Sequence, residues 1–141
     1  MGLFNKKKPV APPPTPKPIM EANFIRSAGF RGFKRFRVTV HGIEDAERNA
    51  VTLKDADLKD AQISFKVFLD QYRSEYADVF INGLRVGIVY DPDEIYAIKH
   101  KLFDQVYAMF ENETVLVTKG TITRPRVRMF VKYIENTEEN K

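Results

Sequence analysis

The sequence predicts a mainly β fold, in which at least six strands form a small, curved antiparallel sheet or partly open barrel with one long α-helix. Three observations support this prediction. Several segments alternate apolar and polar residues, a tight turn joins two of them, and a typical helix-capping run follows directly. A curled sheet is favoured because it leaves fewer strand edges exposed.

The first alternating segment covers residues 35–40. Phe36, Val38 and Val40 lie on one side of the predicted strand, and polar residues occupy the positions between them. Residues 63–69 repeat this pattern over almost eight positions. Both segments are therefore expected to form half-buried strands.

The next element is a hairpin over residues 76–90. Asn82-Gly83 provides the two residues that most readily adopt positive φ in a two-residue turn, and β-branched and aromatic residues flank it. This turn nearly fixes which residues of the two strands are paired.

A helix is predicted over residues 92–111. Asp91 can cap it, Pro92 suits its first position, and Glu94 can complete a capping box. Apolar residues recur at steps of three and four and predict one buried stripe, made of Ile95, Ile98, Leu102, Val106 and Met109. Residues 114–118 and 127–134 complete the set of predicted strands.

The two ends of the chain differ in composition from its middle. Residues 1–37 carry nine basic side chains and one acidic side chain, a net +8, whereas the rest carries 14 basic and 18 acidic, a net −4. Residues 1–20 are predicted to be a disordered, basic, proline-rich tail, 21–34 a transition segment, 35–135 the folded domain, and 136–141 a disordered terminus. The prolines could also bind a protein partner, but a plain spacer is the better interpretation because proline-rich tracts meet this pattern by chance.

Several classes of protein are disfavoured. No segment is apolar for the roughly 20 residues that a membrane-spanning helix needs, and the start lacks the order of a secretory signal, so a cytoplasmic location is expected. The chain has no cysteine, and its two histidines and three serines form no recognisable catalytic motif. His100 and Asp104 could share a cation, but a solvated pair is the better interpretation. No enzyme activity, cofactor or metal is predicted.

The order of motifs resembles a HIRAN domain over roughly residues 35–134. The matching runs are Arg37-Val38-Thr39-Val40-His41-Gly42-Ile43, Arg48-Asn49, Tyr72-Arg73, and Val79-Phe80-Ile81-Asn82-Gly83-Leu84-Arg85-Val86-Gly87-Ile88-Val89. The resemblance implies an OB-like, partly open barrel that captures the free 3′ end of single-stranded DNA. It also implies that Tyr76 is the aromatic residue and Asp78 the acidic residue of the binding corner. Ser74-Glu75-Tyr76-Ala77-Asp78 is shorter than the usual family sequence there and lacks its Asn and Pro.

The predicted nucleic-acid site combines aromatic rings for base stacking with cations for phosphates. Its members are Arg37, His41, Tyr72, Arg73, Tyr76, Asp78, Arg124 and Arg126. Ordinary packing of the tyrosines and a solvated edge strand for the arginines are the competing interpretations. The alternative function is a protein-interaction or scaffold module on the same fold, whose basic proline-rich tail reaches a partner or a membrane surface.

Overall fold

The structure, a computed structural model, describes residues 16–135. The strands are β1 (Met20–Ile25), β2 (Lys34–Phe36), β3 (Gln62–Leu69), β4 (Glu75–Ile81), β5 (Leu84–Val89), β6 (Phe103–Val117) and β7 (Gly120–Tyr133). The helices are α1 (Glu44–Lys54) and α2 (Pro92–Lys99). The predicted mainly β class is confirmed.

The strands form two antiparallel sheets. The first sheet has the order β1-β3-β4-β5, and the second has the order β2-β7-β6. In the described residues the sheets do not close into a barrel, so the fold is open. Their inner faces meet at a cluster of phenylalanines, in which the ring centroids of Phe36 and Phe103 are 5.3 Å apart and those of Phe36 and Phe65 are 5.7 Å apart.

The predicted hairpin is confirmed. Asn82 and Gly83 have φ of 51° and 82°, and β4 pairs with β5 through a bulge at Val79/Phe80. Asp91 caps α2, since its Oδ1 accepts the N–H of Asp93 at 2.8 Å. Glu94 does not complete a capping box, because its side chain accepts a hydrogen bond from a distant segment instead.

The prediction of a helix over residues 92–111 is wrong beyond Lys99. Lys101 adopts a positive φ of 53°, which turns the chain, and β6 begins at Phe103. Apolar residues at steps of three and four fit one face of a helix. In the structure, however, every second residue is buried, as in a strand, and these residues are Val106, Ala108 and Phe110. Leu102, assigned to the buried stripe, is 39% exposed.

Two elements of the structure were not predicted from the sequence. One precedes the predicted start of the domain, and the other lies between two predicted strands. Residues 20–25, which the sequence placed in the tail and the transition segment, form β1 and pair with β3 over their whole length. Helix α1 was not predicted, although Ala46, Ala50 and Leu53 are buried at helical spacing. The predictions for residues 1–15 and 136–141 lie outside the described residues.

Strands β6 and β7 form a long ribbon. In its base, residues 103–110 and 127–133, one face contributes Val106, Met129 and Val131 to the core. In its tip, residues 111–126, the strands continue past the core. In the described residues, no helix has both the length and the apolar character needed to cross a membrane.

Candidate functional site

A cleft opens where β2 separates from β7. Phe36 is the last residue of β2 paired with β7, opposite Met129, and three residues later Thr39 forms an isolated bridge to Ile88 of β5. The chain therefore passes from the second sheet to the first and leaves a gap of about 290 Å³ beside β7. The cleft is lined by Arg35, Phe36, Arg37, Val38, Thr39, Val40, His41, Glu113, Arg124, Arg126 and Val127.

Gly87 permits this crossing of the chain. A Cβ at position 87 would lie 2.7 Å from the carbonyl oxygen of Thr39, closer than real Cβ contacts allow. The backbone hydrogen bonds between Thr39 and Ile88, at 2.8 and 2.9 Å, need this close approach. The glycine thus fixes one wall of the cleft.

Positive charge predominates in the cleft. Four arginines and one carboxylate line it, a net formal charge of +3 with histidine neutral. Glu113 orients two of the arginines, because its Oε2 accepts from Arg124 Nε at 2.9 Å and its Oε1 lies 3.9 Å from Arg126 Nη1. The hydrogen bond from Arg124 lowers the pKa of Glu113, so this carboxylate stays ionised near neutral pH. The cleft is suited to an anion.

Glu94 stabilises the same wall at Arg37, two residues before Thr39. It is buried, and its Oε2 accepts the backbone N–H of Arg37 at 2.8 Å. Burial raises the pKa of Glu94, and its Oε1 has no hydrogen-bond partner among the described residues. The backbone of Arg37 is thereby fixed, while its exposed guanidinium lies 3.8 Å from Asp91. Sequence reasoning missed this role, because the capping position of Glu94 suggested a local one.

A second group of site residues lies on the outer face of the first sheet. Phe68 and Tyr76 are directly opposite on β3 and β4, with ring centroids 5.6 Å apart and planes at 25°. Lys66 Nζ lies 4.9 Å from the ring centroid of Phe80. Partial burial raises the pKa of the Tyr76 hydroxyl, which therefore stays protonated at neutral pH. These four residues are called the aromatic face below.

A row of paired residues crosses the first sheet between the aromatic face and the cleft, and its middle members, Asp78 and Ile88, are buried. Lys66 is paired with Asp78, Asp78 with Ile88, and Ile88 with Thr39. Paired residues of antiparallel strands direct their side chains to the same side of a sheet. This row therefore connects the aromatic rings to Thr39 in the cleft wall.

Asp78 is held by an ion-pair network. Arg85 lies 3.2 Å from Asp78 and makes two hydrogen bonds to Asp45 of α1, at 2.7 and 2.9 Å. The hydrogen bond from Arg85 lowers the pKa of Asp45. Burial raises the pKa of Asp78, because its effect there is larger than the opposing effect of the Arg85 charge. This geometry gives Asp78 a role in fixing α1 against the hairpin.

The remaining predicted residues lie in the β3–β4 turn. Asp70 Oδ1 accepts the backbone N–H groups of Tyr72 and Ser74 at 2.8 and 2.9 Å, and Arg73 adopts a positive φ of 64°. Tyr72 is largely exposed in this turn, which joins the strands that carry Phe68 and Tyr76. The eight predicted residues thus divide between the cleft, with Arg37, His41, Arg124 and Arg126, and the region of the first sheet and its turn, with Tyr72, Arg73, Tyr76 and Asp78.

Sequence reasoning missed Phe68, Phe80, Lys66 and Arg35. Phe68, Phe80 and Lys66 lie at positions of their strands that face away from the core. An aromatic residue at such an outward position was the signal that could have identified Phe68 and Phe80. The sequence suggested that His100 and Asp104 could share a cation on one helix. They do not lie on one helix, because Asp104 is in β6. Among residues 16–135, no group of three potential metal ligands is present.

Comparison of the chain with family models, with curated proteins and with solved structures gave no match.

Proposed function

We propose that this protein is a non-catalytic nucleic-acid-binding module that holds single-stranded DNA, as HIRAN domains hold a free 3′ end. The observation that carries the proposal is the presence of a basic cleft together with an aromatic face on the first sheet, connected by one row of paired residues. A cytoplasmic location is part of the proposal, and the absence of cysteine is compatible with a reducing compartment.

The cleft supplies the contacts to phosphate. Guanidinium groups bind phosphate oxygens through paired hydrogen bonds, and Arg124 is already oriented by Glu113. Arg37 is exposed and its backbone is fixed by Glu94, so it can reach a phosphate without reorganisation of the main chain. Such contacts favour any single strand, independent of its sequence.

The aromatic face supplies the contacts to bases. A base can stack on Tyr76, whose ring is supported from one side by Phe68. Lys66 above Phe80 places a cation beside this position. The specificity for a 3′ hydroxyl comes from the resemblance alone and is the most specific part of the proposal.

The binding test uses fluorescence anisotropy with labelled single-stranded oligonucleotides at several salt concentrations. Tyr76→Ala is expected to weaken binding by about 1–3 kcal/mol through loss of one stacked base. The matched control is Tyr96→Ala, which removes an exposed tyrosine of α2 that belongs neither to the lining of the cleft nor to the aromatic face. Equal loss in both variants would contradict the stacking role.

The cleft is tested by its effect on salt dependence. Arg126→Ala should weaken binding modestly and reduce the slope of log K against log salt by about 1. Arg48→Ala is the control, because Arg48 is an exposed arginine of α1 that does not line the cleft and whose ion pair, within residues 16–135, is with Glu44 at 3.5 Å. An oligonucleotide with a 3′-phosphate should bind more weakly than one with a free hydroxyl. If folded protein binds no single strand at low salt, the proposal fails and the protein-interaction function is preferred.

A further inference from the structure

The outer face of the second sheet carries three stacked aromatic rings. Residues 27–33, called the strap below, join β1 to β2 and place Phe30 over this face. The ring centroid of Phe30 lies 4.6 Å from that of Tyr107 on β6 and 4.6 Å from that of Phe130 on β7. Phe30 is nevertheless 39% exposed, so one side of its ring packs on the sheet and the other is accessible.

Hydrogen bonds fix the strap around Phe30. At its start, the backbone N–H of Ser27 donates to the carbonyl of Val106 at 2.7 Å. At its end, the N–H of Phe33 donates to the carbonyl of Phe30 at 3.0 Å and closes a turn in which Gly32 has a φ of 82°. Glycine tolerates this conformation, so the turn holds the ring in place without strain.

A row of basic residues leads from the strap to the cleft. The pairing of β6 with β7 is regular along this part of the ribbon, so Arg124, Arg126, Arg128 and Phe130 lie on the same side of β7. Arg35 is directly opposite Phe130 on β2 and also lines the cleft. The cleft and the exposed ring of Phe30 are therefore neighbours on one face of the second sheet.

The charge of this row suits a polyanion. The guanidinium carbon of Arg26 lies 4.3 Å from the ring centroid of Tyr107, and that of Arg128 lies 5.4 Å from the ring centroid of Phe130. Five arginines and two glutamates lie along the row or in contact with it, a net formal charge of +3. They are Arg26, Arg35, Arg124, Arg126, Arg128, Glu111 and Glu113. Alternate residues of a strand are about 6.6 Å apart, close to the separation of successive phosphates in an extended single strand.

We propose that Phe30 is a second base-stacking residue, and that the single strand held in the cleft continues along the outer face of β7 to reach it. Phosphates of the strand contact Arg126 and Arg128, and one base stacks on the accessible side of the Phe30 ring. This inference rests on the proposed function, because it concerns the same ligand. It adds a stacking site on the second sheet to the aromatic face on the first.

Tryptophan fluorescence tests the contact directly. The native chain has no tryptophan, so Phe30→Trp introduces a single reporter. Titration with an unlabelled single-stranded oligonucleotide of about ten nucleotides should quench this fluorescence in parallel with binding. Tyr96→Trp on α2 is the control and should not be quenched, whereas Tyr76→Trp reports stacking on the aromatic face.

The outcomes separate this inference from the proposed function. If anisotropy shows binding but Phe30→Trp is not quenched, the second stacking site is rejected and the proposed function stands. If folded wild-type protein binds no single strand, both are rejected. Quenching of Phe30→Trp together with that of Tyr76→Trp supports both stacking sites.

Two further variants distinguish stacking from simple covering of the sheet. Phe30→Leu keeps an apolar side chain over Tyr107 and Phe130 but removes the flat ring, so binding should weaken roughly fivefold or more. Phe30→Tyr keeps the ring and should bind as the wild type does. Thermal unfolding of both variants verifies that they are folded. Equal affinities of Phe30→Leu and the wild type would overturn the inference.

Discussion

The base and the tip of the β6–β7 ribbon are the same two strands in two environments. In the base, Phe103 and Val106 are buried beneath the first sheet, whereas in the tip Leu116 and Ile122 are exposed. The pairing between the strands continues through both regions. Strand formation therefore follows from local pattern and cross-strand pairing, but burial depends on whether another element covers the face.

The charged residues show the same contrast. Arg85, in the covered part of the molecule, contacts the buried Asp78, whereas Arg124 in the tip contacts the more accessible Glu113. The geometry of each pair is good, but the consequences of breaking them differ. A carboxylate left alone is costly only where water cannot reach it.

The largest expected effect contrasts core and tip directly. Phe103→Ala should lower the free energy of unfolding by about 3–5 kcal/mol, because the ring is buried against Phe24, Phe36 and Phe65. Leu116→Ala should cost less than about 0.5 kcal/mol, because the Leu116 side chain is exposed. Urea denaturation of both variants measures the difference. Similar losses would mean that the tip is covered within the monomer.

The next effect locates the start of the ribbon. Ile98→Ala on α2 should cost about 2–4 kcal/mol because Ile98 is buried, whereas Leu102→Ala should cost less than about 1 kcal/mol. The sequence had placed both side chains on one buried helical stripe. A large loss of stability for Leu102→Ala in the same urea titrations would support the long helix that the sequence predicted.

A smaller effect compares the two arginine contacts. Arg85→Met should destabilise the protein by about 1–3 kcal/mol, because Asp78 would remain buried without its partner. Arg124→Met should cost at most about 1 kcal/mol, as for other solvent-accessible ion pairs. Adding Asp78→Asn to Arg85→Met should recover part of the loss, which thermal unfolding of the double variant measures.

The smallest effect is on the pH dependence of folding stability, to which Glu113 and Glu94 are expected to contribute with opposite signs. Glu113 has a lowered pKa in the folded protein, so its contribution is present above the unfolded value of about 4.3 and is lost as the pH falls through the folded value. Glu94 has a raised pKa, so its ionisation reduces stability as the pH rises from about 4.3 through the folded value.

Two conservative variants separate these contributions. At pH 7, Glu94→Gln should stabilise the protein by up to about 1 kcal/mol, since Gln can still accept the hydrogen bond from Arg37 without a buried charge. Glu113→Gln should slightly destabilise it, and both differences should shrink toward pH 3. Urea midpoints measured across this range provide the test. The same sign for both variants at pH 7 would contradict the opposed pKa shifts.

The structure brings the predicted site residues together in two groups rather than one, because their positions depend on different kinds of information. Arg124 and Arg126 alternate on a strand, and their shared face was evident from spacing. Their proximity to Arg37 and His41 was not, because it depends on where β2 leaves β7. Glu94 was assigned to a local cap although it contacts Arg37, 57 residues away in the sequence.

The sequence by itself determined the local elements. Asn82-Gly83 set the hairpin, Asp91-Pro92 set the start of α2, and alternation set β3 and much of β7, since each depends on the conformational preferences of neighbouring residues. Only the tertiary structure decided the rest. Residues 103–111 became a strand because pairing with β7 and burial against the first sheet outweighed a pattern that also fits a helix. The cleft has the same origin, since no local preference specifies that Thr39 crosses to Ile88 of the other sheet.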